Sequence, residues 1–188
     1  CDTLIIGPGL GTDNESLDFA KAVLDKCSKP ILIDADALRL FHGNLDLFGK
    51  LKSDFVITPH HGEAAQLLNV EKEVVAFDPF GFALEVSSKI GGTIVLKGAP
   101  TLVATDNSIT ANITGHQGLA TGGSGDVLSG IIGSLMAQGL KPSDAAKLGA
   151  LIHGEAADHL LDTHGYRGLI AEDLLDEIPT VISQYERT

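Results

Sequence analysis

Positive charge is scarce in this 188-residue sequence: 13 lysines and arginines stand against 25 aspartates and glutamates, a formal net charge of −12. A nucleic-acid partner needs a basic surface, so that class is excluded. A small anionic ligand is not, because backbone N–H groups bind phosphate without net positive charge. Cysteine is almost absent, and Cys1 and Cys27 are expected to be ordinary thiols in a reducing compartment. There is no apolar run long enough to span a bilayer, and no charged segment followed by an apolar one precedes the first strand pattern. The expected setting is cytoplasmic, with no membrane partner. Internal repeats and low-complexity segments are also missing. What remains is a chain with 44% apolar residues, long enough to bury a full core, read as a single domain over residues 1–188. It enters a strand pattern almost at once and does not begin with Met, so an N-terminal part of the domain is expected to be missing.

Short apolar runs at 3–7, 30–36, 54–58 and 93–98 read as buried strands. Helical spacing falls between them, at 12–27 after Thr12 or Asp13 as N-cap, at 36–41, 62–68 and 82–90. Residues 70–81 read as a polar, glycine-bearing linker. Runs at 101–105 and 108–114 flank Asp106–Asn107, a tight-turn pair, and predict a hairpin. Three helices follow, over about 125–138, 143–162 and 171–185. Strands alternating with helices predict a mostly parallel sheet covered on both faces, a three-layer α/β fold. Ligands bind such sheets beyond the carboxyl ends of the strands. The segments leaving those ends are GPGLG, DADAL, TPHHGE and KGAPT, and all four are expected at one edge.

GPGLG (7–11) sits between strand and helix, but its glycine spacing is not the dinucleotide fingerprint. It reads either as a tight turn needing positive φ or as a glycine wall against a flat ligand. Lys97 and Gly98 end a strand; the lysine is either a solvated charge or a phosphate contact. His60, His61 and Glu63 follow Pro59. Adjacent histidines point apart, which argues against a closed zinc site. Glu63 is placed to hold a water on Mg²⁺, and His60 to hydrogen-bond a substrate. His42, His116, His153, His159 and His164 are expected mostly on the surface or on helix faces.

The stretch GLATGGSGDVLSG (118–130) crowds glycines around Asp126 and then becomes helical. It lacks the Gly-Lys-Ser/Thr ending of a P-loop. A long turn with a helix cap is one reading. An anion nest formed by Gly122, Gly123, Ser124 and Gly125 is the better one, since backbone amides and the helix dipole converge there. Asp126 is then either a dipole partner or the base that takes a proton from a hydroxyl as it attacks a phosphoryl group held in the nest. Base and anion hole must be neighbours for such a transfer, which gives a carboxylate a reason to stand at the mouth of an anion site.

GPGLG, DADAL, ITPHHGEAAQLL, VLKGAPT and GLATGGSGDVLSGIIGSLMAQG, in this order, resemble the ADP- or ATP-dependent NAD(P)H-hydrate dehydratase family, whose members are ribokinase-like. The resemblance runs from the first strand past Gly139. It implies repair of hydrated NADH or NADPH: the ring hydroxyl is phosphorylated and phosphate is then eliminated. By motif it implies Asp126 as base and substrate contact, Gly9 and His60 as further contacts to the hydrated cofactor, and an adenine nucleotide bound by Lys97, Gly98, Ala99, Pro100, Thr101 and the segment from Gly122 to Gly125. Mg²⁺ and ADP or ATP are the implied cofactors, and a homo-oligomer the implied assembly. Family members carry a further segment before GPGLG that adds strands, so an exposed sheet edge is expected here. His61 stands where the family often has Pro. Two rivals share the nest: a ribokinase-like kinase acting on a thiazole or pyrimidine alcohol, and a non-catalytic binder of adenine nucleotide.

Overall fold

Four apolar runs become β1 (Leu4–Ile6), β2 (Ile31–Ile33), β3 (Phe55–Ile57) and β4 (Thr93–Leu96), paired side by side in parallel. The hairpin adds β5 (Thr101–Thr105) and β6 (Ser108–Asn112), both antiparallel to their neighbours. The computed structural model describes residues 1–186 and places the six strands in one sheet in sequence order. β2, β3 and β4 lack a polar alternation because both of their faces are covered. Ile31, Ile33, Ile57, Ile94 and Leu96 enter one core, while Leu32, Val56 and Val95, which lie between them in sequence, enter another. Each such side chain contributes about 1.5–3 kcal/mol by leaving water.

The first core is closed by α1 (Asn14–Lys26), two 3₁₀ helices (Ala35–Phe41 and Leu45–Lys50), α2 (His61–Leu68), α3 (Lys72–Phe77) and α4 (Pro79–Ile90). The second is closed by α5 (Ser124–Ala137) and α6 (Pro142–Gly168), with α7 (Ala171–Tyr185) packed behind them. This is the expected three-layer arrangement. Asp13, not Thr12, caps α1, accepting from the Ser16 N–H at 2.9 Å.

Three elements differ from expectation. Residues 70–81 are not a linker: they contain all of α3 and the start of α4. Val75 buries fully while Phe77 stays 92% exposed, so a six-residue helix is held by one anchor and shows no apolar stripe. The Leu45–Lys50 turn forms because Phe48 stacks on Phe41 at 3.8 Å and on Phe55 at 5.2 Å between ring centroids. The helix after Pro142 runs on to Gly168 with a non-helical break at Gly165. No helix among the described residues is long and apolar enough to cross a membrane.

Candidate active site at the carboxyl edge of the sheet

The segments leaving β1 to β4 bond to one another. Gly11 N–H donates to Asp36 Oδ2 at 3.0 Å, joining GPGLG to DADAL. Lys97 N–H donates to the Pro59 carbonyl at 2.8 Å, and His60 and Lys97 form an isolated parallel bridge, joining TPHHGE to KGAPT. The glycine-rich turn joins them through a buried carboxylate. Asp34, 1% exposed at the end of β2, takes Lys97 Nζ at 2.9 Å and the Ala35 N–H at 2.8 Å on Oδ1, and Ser129 Oγ of α5 at 2.8 Å on Oδ2. A buried carboxylate is tolerable when its lone pairs are filled in this way. Asp34→Asn keeps the shape and removes the charge opposite Lys97. We expect it to cost about 2 kcal/mol or more in urea unfolding, and Ser129→Ala about 1 kcal/mol.

Lys97 is thereby fixed near the first turn of α5. A Cβ built on Gly125 would lie 3.4 Å from its Nζ, and Glu63 Oε2 lies 3.8 Å away. The turn itself has no side-chain cap. Gly123 is the N-cap with φ +85°, a left-handed conformation that favours glycine. Among the described residues the N–H groups of Gly122, Gly123 and Gly125 find no acceptor. N–H groups left open at a helix N-terminus are satisfied by side chains, water or bound anions.

Asp126 follows in the first turn of α5 and is exposed. Its carboxylate accepts no hydrogen bond and forms no ion pair among the described residues, so it caps nothing. Ser124, by contrast, is buried, and its Oγ is hydrogen-bonded to His153 Nε2 of α6 at 3.1 Å. His153 is 7% exposed rather than on the surface. Burial, and then the charge of Lys97, push its imidazole down to about 4, so it is neutral at neutral pH. The unfolded chain takes up this proton near the ordinary value of about 6.5. As pH falls from there to about 4 the unfolded state therefore gains the proton first, and stability drops by roughly 3 kcal/mol. Thermal unfolding across that window should show this slope, and His153→Gln should flatten it.

The TPHHGE segment is built as a helix start. His60 is the N-cap of α2: its Nδ1 accepts from the Gly62 and Glu63 N–H groups at 3.0 and 3.1 Å, while Glu63 Oε2 accepts from His60 N–H at 2.8 Å. This is a capping box with histidine as the capping side chain. His116 likewise bonds the Ala157 carbonyl at 2.8 Å and accepts from Gly118 N–H at 3.0 Å. Gly9 has φ +63° and open space around its missing Cβ. Thr101 Oγ1 donates to the Gly98 carbonyl at 3.1 Å, closing the 98–101 loop on itself. Ala99 and Pro100 stay exposed, while Lys97 Nζ lies against the start of α5 at Gly125. Asp34 and Ser129 lie inside DADAL and the glycine-rich stretch, but the sequence pattern assigns them no role there, and His153 is expected from it only on the surface or a helix face. The one signal available was an acid ending an otherwise apolar buried run, PILID.

The sheet order and the uncapped start of α5 are those of an α/β protein, and likeness to a solved ribokinase-like superfamily protein, with a TM-score of 0.83 at 30% identity, makes the fold ribokinase-like. Its family follows from comparison with known sequences. A family model described as NAD(P)H-hydrate dehydratase matches residues 1–180, and the chain belongs to that family. It is 40% identical over 186 residues to the bifunctional NAD(P)H-hydrate repair enzyme Nnr of Moorella thermoacetica, covering 98% of this chain and 35% of that protein. It is 39% identical over 175 residues to the ADP-dependent (S)-NAD(P)H-hydrate dehydratase of Neisseria meningitidis, covering 90% of this chain and 59% of that one. The structure of the Bacillus subtilis ADP/ATP-dependent NAD(P)H-hydrate dehydratase co-crystallised with ATP/Mg²⁺ superposes with a TM-score of 0.87 at 30% identity, covering 98% of this chain and 65% of that one. The chain thus spans about a third to two thirds of the length of these relatives.

Proposed function

We propose that this chain carries the catalytic site of a nucleotide-dependent NAD(P)H-hydrate dehydratase. Among its supports, the observation that carries the reading is the pairing of open amides at Gly122, Gly123 and Gly125 with the uncommitted carboxylate of Asp126. The amides and the dipole of α5 hold the phosphoryl group of ADP or ATP and stabilise charge as it transfers. Lys97, aimed at the same turn, adds a positive charge to that cradle, and the 98–101 segment completes the nucleotide site. The hydrated ring lies over Gly9 and His60, with its hydroxyl against Asp126.

Asp126 accepts the hydroxyl proton as the oxygen attacks phosphorus. One P–O bond forms to the ring hydroxyl, and the bond to the departing nucleotide breaks. The ring then loses a proton, its C–O bond breaks, phosphate leaves and the double bond of the reduced cofactor is restored. The described residues contain no cluster of three or more His, Cys, Asp or Glu side chains suited to a metal. Magnesium enters as an ion carried on nucleotide phosphates, with Glu63 the carboxylate that would hold one of its waters. Bound there, it would supply charge neutralisation for the transferring group.

A product assay tests the reading against a kinase of the same fold. The dehydratase releases one inorganic phosphate for each NADH or NADPH recovered. A stable phosphorylated alcohol with no recovery of reduced cofactor contradicts it.

A further inference from the structure

A cavity of about 260 Å³ opens beside His60, walled by the 3₁₀ helix after β2 and by the start of α2. Its lining is polar and includes Asp36, Arg39, His42, His60, Glu63 and Gln66. Both carboxylates on the wall are already engaged. Asp36 accepts from Gly11 N–H at 3.0 Å, and Glu63 accepts from His60 N–H at 2.8 Å with Lys97 Nζ 3.8 Å away. His60 Nδ1 is used in capping. Burial, and then the neighbouring Arg39 charge, hold the His42 imidazole below its ordinary value, so at neutral pH it adds no second charge. Arg39 is the lining residue with a permanent positive charge, it is exposed, and it forms no ion pair among the described residues.

A free guanidinium facing a cavity is a site for a phosphate, which it meets with two parallel hydrogen bonds. In a chain of net charge −12, locally placed positive charge offsets the general repulsion of a polyanionic substrate. Lys97, at the same edge, has its Nζ 2.9 Å from Asp34, so the charge it brings to the glycine turn is shared with a carboxylate. The cavity joins the proposed reaction site through His60, which bridges to Lys97. Its volume is too small for a whole dinucleotide, yet it suits one phosphate-bearing part of it. We infer that Arg39 binds a phosphate of the hydrated dinucleotide and so sets the affinity for that end of the substrate. The inference rests on the dehydratase reading above. The phosphate is either the 2′-phosphate that distinguishes NADPH from NADH or the pyrophosphate common to both.

The test titrates the protein, its Arg39→Gln variant and its Arg39→Lys variant with NADPH and with NADH, followed by nicotinamide fluorescence. Steady-state kinetics on the two hydrates run alongside. Arg39→Gln should weaken binding and raise KM by at least about tenfold, the scale of a charged hydrogen bond, with KM changing more than kcat and Arg39→Lys recovering part of the loss. A loss confined to NADPH assigns the 2′-phosphate, and an equal loss with both ligands assigns the pyrophosphate; either supports the inference. Unchanged affinity for both, or no saturable binding to the unsubstituted protein, overturns it. Arg39-dependent binding without dehydration of either hydrate would sink the catalytic reading and leave this one standing.

Discussion

Asp126→Asn is expected to lower the rate of nucleotide-dependent cofactor recovery by about 10²-fold or more, the scale of general-base catalysis. The fold should not change. Asp126 is exposed, caps no amide and pairs with no cation among the described residues, so its replacement falls in the class of surface changes within about 0.5 kcal/mol. Asparagine keeps the size and loses the ability to accept a proton. It also removes a negative charge from beside the phosphates, so nucleotide affinity should hold or rise slightly. A fall in kcat with unchanged melting temperature and undiminished nucleotide binding is the expected signature. A rate within tenfold of the parent would show that another group takes the proton.

The second large effect is on the scaffold. Gly7→Ala should destabilise the protein by more than about 4 kcal/mol, lowering the melting temperature by roughly 10 °C or preventing folding altogether. Gly7 ends β1 at φ +127°, and a Cβ there would stand 1.7 Å from the carbonyl oxygen of Asp34. That neighbour is backbone and cannot swing aside. Moving it displaces Asp34, the residue that holds Lys97 and Ser129. Gly9→Ala is the matched control. Its φ of +63° is strained for alanine, but nothing lies within 4 Å of the added methyl, so the cost should be only about 1 kcal/mol. Thermal and urea unfolding of the two variants measure the difference. Equal costs would mean that conformational strain, not the close approach of two strand ends, explains the glycine at position 7.

The strands could be read from sequence because a buried parallel strand is a short apolar run, and ILI, FVI and TIVL have little else to be. The convergence of the four strand ends follows from parallel topology, so it was readable too. Local pattern could not show what depends on distant partners. Ser129 and Asp34 lie 95 residues apart in sequence, and only the packing of α5 on β2 brings them within 2.8 Å. His153 lies on an alanine-rich helix whose inward face has too few large apolar residues to mark it. His60 and Glu63 were legible as a pair, but their spacing suits a capping box as well as a ligand contact, and the capping bonds are what the chain itself forms. The helix Lys72–Phe77 escaped because its Val74 and Phe77 face outward.

The central claim is tested most directly by following reduced-nicotinamide absorbance when the protein is mixed with hydrated NADH or NADPH, Mg²⁺ and either ADP or ATP, with Asp126→Asn in parallel. The account predicts that absorbance returns with at least one of the two nucleotides, stays flat without nucleotide, and is lost in the variant. No return with either nucleotide, or a return that Asp126→Asn leaves intact, would contradict it.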